Sequence, residues 1–233
     1  MSEITPHYDK ECTCMLCENR YTTKKLRTRF IKVEKIHSDY YTEYKDLDIN
    51  PSYYEVAVCP HCGFASSEMF SPHFPAGTLD AIREKLGQWK SQDFGGERTR
   101  TDAIRTMKLG LISASLKKEK HVVVAGLCLR LAWLYRGLEI KEEQEEQRFL
   151  FQALKSYKAS YEEGDYLGTQ MSDMRILYLI AELSRQLGYA ADAVRCFSEV
   201  IQHKNRATEP KLVEMAREQW YILRQDIKEV GNI

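Results

Sequence analysis

Two C-x-x-C pairs constrain this chain more than any other feature: Cys14-Met15-Leu16-Cys17 and Cys59-Pro60-His61-Cys62, with 41 residues between them. Each such turn presents two thiolates on one side, and two turns complete a tetrahedral set for zinc with sulfur at about 2.3 Å. Four cysteines leave no open coordination position, so the spacing predicts a structural rather than a catalytic Zn2+ site held by Cys14, Cys17, Cys59 and Cys62. The long excursion between the pairs suits a zinc ribbon, whose two knuckles come from separate hairpins. A domain of roughly 70 residues also needs such a staple, because its own core is small. Cys12 places a third thiol beside the first pair, as an occasional substitute or a free thiol. His61 is expected beside the site rather than on the metal, and Cys128 and Cys196 fall on apolar helical faces and read as core.

Seven cysteines, four of them in C-x-x-C pairs, favour metal or redox chemistry in a reducing compartment over a disulfide framework. The N-terminus shows no signal-peptide or lipidation pattern, and no run approaches the roughly 18 apolar residues of a membrane span, so a cytoplasmic protein without membrane contact is expected. With 34 basic and 34 acidic side chains the net charge is zero, which argues against bulk electrostatic attachment to nucleic acid or anionic lipid. A charged content of 29% with 11% aromatics argues against wholesale disorder.

The pattern changes near residues 71–77, where two prolines and a glycine interrupt regular structure. The expected division is a zinc-ribbon domain over residues 1–75 and a tetratricopeptide-like helical domain over 76–233. In the first part, residues 26–36 and 53–58 read as strands, the second running directly into Cys59. In the second, apolar residues three and four apart predict helices over 79–93, 102–118, 122–138, 144–162, 171–187, 190–203 and 210–228, with Thr101 or Asp102 as a cap and Pro210 in a first turn. An internal repeat supports helix pairing. Ala153-x-x-x-Tyr157 and Ala193-x-x-x-Phe197 lie 40 residues apart, and Ala216 follows Ala181 by 35. Small residues at such intervals mark close helix–helix approach, similar to tetratricopeptide repeats of about 34 residues. The first unit departs from this register, with extra residues over 139–147. The fold class is therefore mainly α with a small β zinc ribbon, followed by a stack of antiparallel helix pairs.

The N-terminal third also resembles a known family, the bacterial domain-of-unknown-function family 2225. The resemblance rests on Cys14-x-x-Cys17, Lys25-Leu26-Arg27, Asp39-Tyr40 with Tyr44, Asn50-Pro51-x-x-Tyr54, and the run from Val58 through Cys59-Pro60-His61-Cys62-Gly63 to Phe64-Ala65. It implies a zinc-ribbon segment followed by tetratricopeptide-like helices and little about chemistry. The chain departs from the family pattern at Met15, where proline is usual, and at Glu18, where glycine is typical, so a looser first knuckle is expected.

Residues 20–37 carry seven basic side chains and one acid. Lys24, Lys25, Arg27 and Arg29 are candidate contacts to nucleic acid or an acidic partner, against internal pairing with the acids of residues 39–55. The tyrosines at 40, 41, 44, 53 and 54 read as packing around the ribbon, Trp89, Trp133 and Trp220 as core, and the acids of residues 142–146 as a solvated face. There is no Gly-rich phosphate loop, no H-E-x-x-H, no nucleophile elbow and no histidine with an evident carboxylate partner. The reading is an adaptor or scaffold that binds a protein or peptide through its helices. The alternatives are a nucleic-acid-binding zinc ribbon and a thiol–disulfide oxidoreductase using Cys59 and Cys62. Nothing in the sequence indicates the oligomeric state.

Overall fold

The computed structural model describes residues 4–138 and 142–230. It is mainly helical with a small antiparallel β region, as the periodicities predict. The strands are β1 (His7–Thr13), β2 (Arg20–Leu26), β3 (Val33–Ile36), β4 (Thr42–Tyr44), β5 (Ala57–Val58) and β6 (Ala65–Ser66), forming three two-stranded sheets, β1–β2, β3–β4 and β5–β6. Among the described residues seven helices follow: α1 (Thr78–Leu86), α2 (Arg100–Lys117), α3 (His121–Arg136), α4 (Glu143–Glu163), α5 (Asp173–Gln186), α6 (Ala190–Gln202) and α7 (Pro210–Val230).

Two expected strands are not continuous strands. Residues 26–36 break into the end of β2, a 3-10 turn over Thr28–Phe30, and β3. Residues 53–54 lie in a 3-10 turn over Pro51–Tyr54, because the Asn50 side chain accepts from Ser52 N (2.9 Å) and Pro51 fixes the first φ, leaving only Ala57 and Val58 extended. Helix α1 ends at Leu86 rather than 93, and the chain folds back so that Trp89 N reaches Leu86 O. Helix α2 starts earlier than expected: its cap is Thr99, whose hydroxyl accepts from Asp102 N while Thr99 N donates to the Asp102 carboxylate, a reciprocal capping box.

Contacts group the chain into two compact units. One comprises Met1–Ile36, Thr42–Glu119 and Arg130–Glu146; the other comprises His37–Tyr41, Lys120–Leu129 and Gln147–Ile233. These units are drawn differently from a linear division at residue 75. In the first unit α2 lies against the ribbon at close range. A Cβ on Gly110 would stand 3.0 Å from Val56, and Ser113 Oγ accepts from Ala65 N (3.1 Å). The 71–77 connector is held to the same helix: Lys117 Nζ donates to Ser71 O, and the Glu119 carboxylate accepts from Ser71 N.

In the second unit, α5 and α6 form a pair joined through Leu187-Gly188-Tyr189, with Gly188 at φ +80°, where a side chain is disfavoured. Ala153, Ala181, Ala193 and Ala216 are fully buried, so the small residues picked out by their spacing sit where helices pack. The Tyr178 ring meets Phe197 edge to face at 5.9 Å. Residues 37–41 belong to this unit. Ser38 Oγ donates to the buried Glu182 (2.7 Å), which also accepts from Arg185 and Gln186, and Tyr178 OH donates to Ser38 O (2.7 Å). Of the 139–147 segment invoked for the irregular first repeat, residues 139–141 lie outside the described residues. Among the described residues, no helix is long and apolar enough to cross a membrane.

Candidate metal centre

The two C-x-x-C turns are built alike. Strand β1 delivers Cys14, and β5 delivers Cys59. In the first turn Cys14 N donates to Asn19 O and Glu18 N to Cys14 O, both at 3.0 Å; in the second Cys59 N donates to Phe64 O (3.0 Å) and Gly63 N to Cys59 O (2.9 Å). The residue after each second cysteine takes the left-handed conformation, Gly63 at φ +76° and Glu18 at φ +60°. Glu18 therefore occupies a glycine-type position and bears the steric cost of a Cβ there. Replacing Glu18 with glycine is expected to stabilise the first knuckle by about 1 kcal/mol, read as a rise of a few degrees in the melting midpoint of the metal-loaded protein. An unchanged or lower midpoint would show that the side chain compensates for its backbone.

The turns place all four sulfurs within 4.8 Å of one another. Pairs form across the motifs: Cys14 Sγ lies 3.5 Å from Cys62 Sγ, and Cys17 Sγ 3.7 Å from Cys59 Sγ. A tetrahedron with metal–sulfur bonds of about 2.3 Å has edges of about 3.8 Å, so the donor set fits one ion such as zinc. Leu16 N and Asn19 Nδ2 each point at a sulfur, Cys14 and Cys17 respectively, at 3.4 Å. The hydrogen bond from Cys62 draws the Cys14 thiol down to about 5, whereas burial pushes Cys59 up to about 11 and the shared proton with Cys14 raises Cys62. The Cys14 thiolate forms readily, whereas ionisation of Cys59 and Cys62 is opposed until a cation offsets the crowded charge. Bound there, a metal would crosslink the two hairpins, with Cys14 and Cys59 buried.

A redox pair at Cys59 and Cys62 finds no support in this arrangement. In thiol–disulfide enzymes the first thiolate of such a motif is stabilised by a following helix, but here the chain continues from Cys62 into β6, Cys59 is completely buried, and burial pushes its thiol up. Cys12 lies outside the cluster, opposite Tyr21 in the β1–β2 ladder, its Sγ 3.9 Å from Lys10 O. His61 is exposed, and Cys128 and Cys196 are buried among helices as expected, with burial holding the Cys128 thiol up at about 12. Trp89 is not helical core: its ring covers Gly63, where any Cβ would overlap it, and its Nε1 donates to Pro60 O (3.0 Å).

The basic run is partly spent on neighbours. Lys24 pairs with Asp9 (2.9 Å) and Lys25 with Glu68 (3.3 Å), which also takes Lys10 (2.7 Å). These acids are not those of residues 39–55 foreseen as partners. Arg27 lies over the Tyr8 ring at 5.2 Å and Arg29 over Phe30 at 4.8 Å. The sequence reading missed three histidine–carboxylate contacts: His121 Nε2 to Glu163 at 3.4 Å, His203 Nε2 to Asp173 at 3.3 Å, and His7 Nδ1 to Glu97 at 3.3 Å, with His7 Nε2 at 2.9 Å from Tyr54 OH. Ninety positions separate His7 from Glu97, and no local spacing could have revealed them.

A closed four-cysteine cluster that could hold one metal ion sits on short hairpins in a chain dominated by helices. The family model described as uncharacterized protein conserved in bacteria (DUF2225) matches residues 7–223, and the chain belongs to that family. No curated protein and no solved structure matches it.

Proposed function

We propose that this protein is a binding module: a ribbon crosslinked by structural zinc, with helices that take up an apolar peptide segment of a partner protein. The observation that carries the reading is a groove of about 730 Å³ in the helical unit, walled by Tyr40, Met171, Leu179, Pro210, Leu212 and Met215. Its size lies within the roughly 300–1,000 Å³ usual for binding clefts, and its methionines adapt to varied apolar shapes. Arg175, clamped to Glu209 at 2.7 Å, and Lys211 supply a polar edge to orient a peptide backbone or acidic side chain. The buried alanines at tetratricopeptide-like intervals and the α5–α6 pair support the same reading, because helix-pair stacks commonly present such grooves. The cysteine cluster supports a structural role for the ion, since four thiolates fill its coordination.

Selection of displayed peptides on the full-length protein is expected to enrich apolar sequences, and Met215→Lys to weaken their binding at least tenfold, about 1.4 kcal/mol. Enriched peptides that bind Met215→Lys as well as the parent would remove the groove from consideration. A nucleic-acid role would rest mainly on Arg27 and Arg29, since Lys24 and Lys25 are paired. Steeply salt-dependent binding of duplex DNA or single-stranded RNA, lost when all four basic residues become glutamine, would favour that reading instead.

A further inference from the structure

A second cavity, of about 740 Å³, lies in the ribbon-containing unit and is independent of both the cysteine cluster and the helical groove. Two arginines of one short segment define it. Arg98 is 7% exposed, and its guanidinium is held entirely by neutral oxygens: Nε donates to Phe94 O (2.9 Å), Nη1 to Tyr53 O (3.0 Å) and Val56 O (2.7 Å), and Nη2 to Thr23 Oγ1 (3.3 Å). These bonds fix the 3-10 turn, and among the described residues no carboxylate is in contact with the cation. Buried charge of this kind is stabilised by an opposite charge brought close.

Arg100 is the second cation. Its Nε donates to Tyr53 OH (3.0 Å), and its guanidinium lies against Gly137, where an added Cβ would overlap Nη1. Among the described residues its Nη edge has neither a hydrogen bond nor an ion pair. A planar fork held by a phenol and given room by a glycine is suited to receive a carboxylate through two parallel hydrogen bonds. The cavity is not simply cationic, however. Glu97, which is largely exposed, together with Asp48 and Glu142, lines it as well, so a polyanion would meet repulsion. Leu47 and Leu138 add apolar wall. Opposite charges lining one partly apolar cleft fit a molecule with a carboxylate and an ammonium group close together.

We propose that this cavity binds a free amino acid, with Arg100 gripping the carboxylate and the Glu97 side taking the ammonium group. The test uses the purified full-length chain and calorimetric titration with each of the twenty L-amino acids, and with acetate and inorganic phosphate as probes of the anion alone. At least one amino acid is expected to bind in the millimolar range or tighter. Arg100→Gln and Gly137→Ala should each weaken it tenfold or more, the second because the new methyl group displaces the guanidinium. Glu97→Gln, at an exposed position, should weaken amino-acid binding yet leave acetate binding unchanged or stronger. The proposal is overturned if no amino acid binds the parent protein at millimolar concentration, if phosphate binds and no amino acid does, or if Arg100→Gln, folded by circular dichroism, binds as the parent does.

Discussion

Removing the metal with a strong chelator is expected to unfold the ribbon. The β region consists of three two-stranded sheets, and isolated pairs of this kind are marginal in water. Structural zinc sites supply an apparent binding free energy of about 10–16 kcal/mol at neutral pH, comparable with or larger than the whole stability of a typical domain, about 5–15 kcal/mol. Once the ion leaves, four thiols within 4.8 Å of one another have only a shared proton network to hold them together. Trp89 provides the readout, because its indole covers Gly63 and bonds to Pro60 O inside the second knuckle. Chelation should shift Trp89 emission to longer wavelength and open the β1–β2 hairpin to proteolysis, with both changes reversed by added zinc. Trp133→Phe and Trp220→Phe in the same chain isolate the signal. If the purified protein contains no metal and Trp89 emission ignores both chelator and zinc, the cluster is not a metal centre.

The second large effect is expected at Lys117 and Glu119, an ion pair whose side chains are 1% and 2% exposed. Lys117 Nζ lies 5.0 Å from the Phe74 ring centre, and both residues also hold the backbone of Ser71. Lys117→Met strands a buried carboxylate, and Glu119→Leu strands a buried ammonium; each should cost about 3–5 kcal/mol. Replacing both removes the stranded charge and should restore part of the loss, with the remaining deficit reflecting the Ser71 bonds. Chemical denaturation of the four proteins checks this. Additive losses would mean that the two side chains do not act as a pair.

The helical part was legible to within a few residues at most ends, because apolar residues at i, i+3 and i+4 have to face a core whatever their neighbours are. The cysteine set was legible because two C-x-x-C pairs leave few other uses. Strands β1 and β2 were not: Tyr8-Asp9-Lys10-Glu11 buries neither face fully, so no alternation marks it, and its extended shape follows from pairing with β2 beside the first knuckle. The Tyr53-Tyr54 pair reads as strand by composition, but Asn50-Pro51 turns it into a 3-10 segment. Trp89 was assigned to a helix face because its role, covering Gly63, depends on a fold-back after Leu86 that no periodicity encodes. Arg98, Arg100 and His7 lacked any local signature, since the contacts that place Val56 against Arg98, Tyr53 against Arg100 and Glu97 against His7 span 42 to 90 positions of the chain.

The five residues from His37 to Tyr41 bear on how such a chain can be cut or recombined. They supply Ser38 to the fully buried Glu182 and accept the hydroxyl of Tyr178, so the helices receive part of their interior from a stretch that precedes the second cysteine pair. A fragment beginning after residue 75 would carry Glu182 and Tyr178 without those partners. Exchanging the helical region between relatives at a linear junction would break the same bonds. The compact unit that holds the helices is discontinuous in the chain, and substitutions at Ser38 and Glu182 are expected to be coupled.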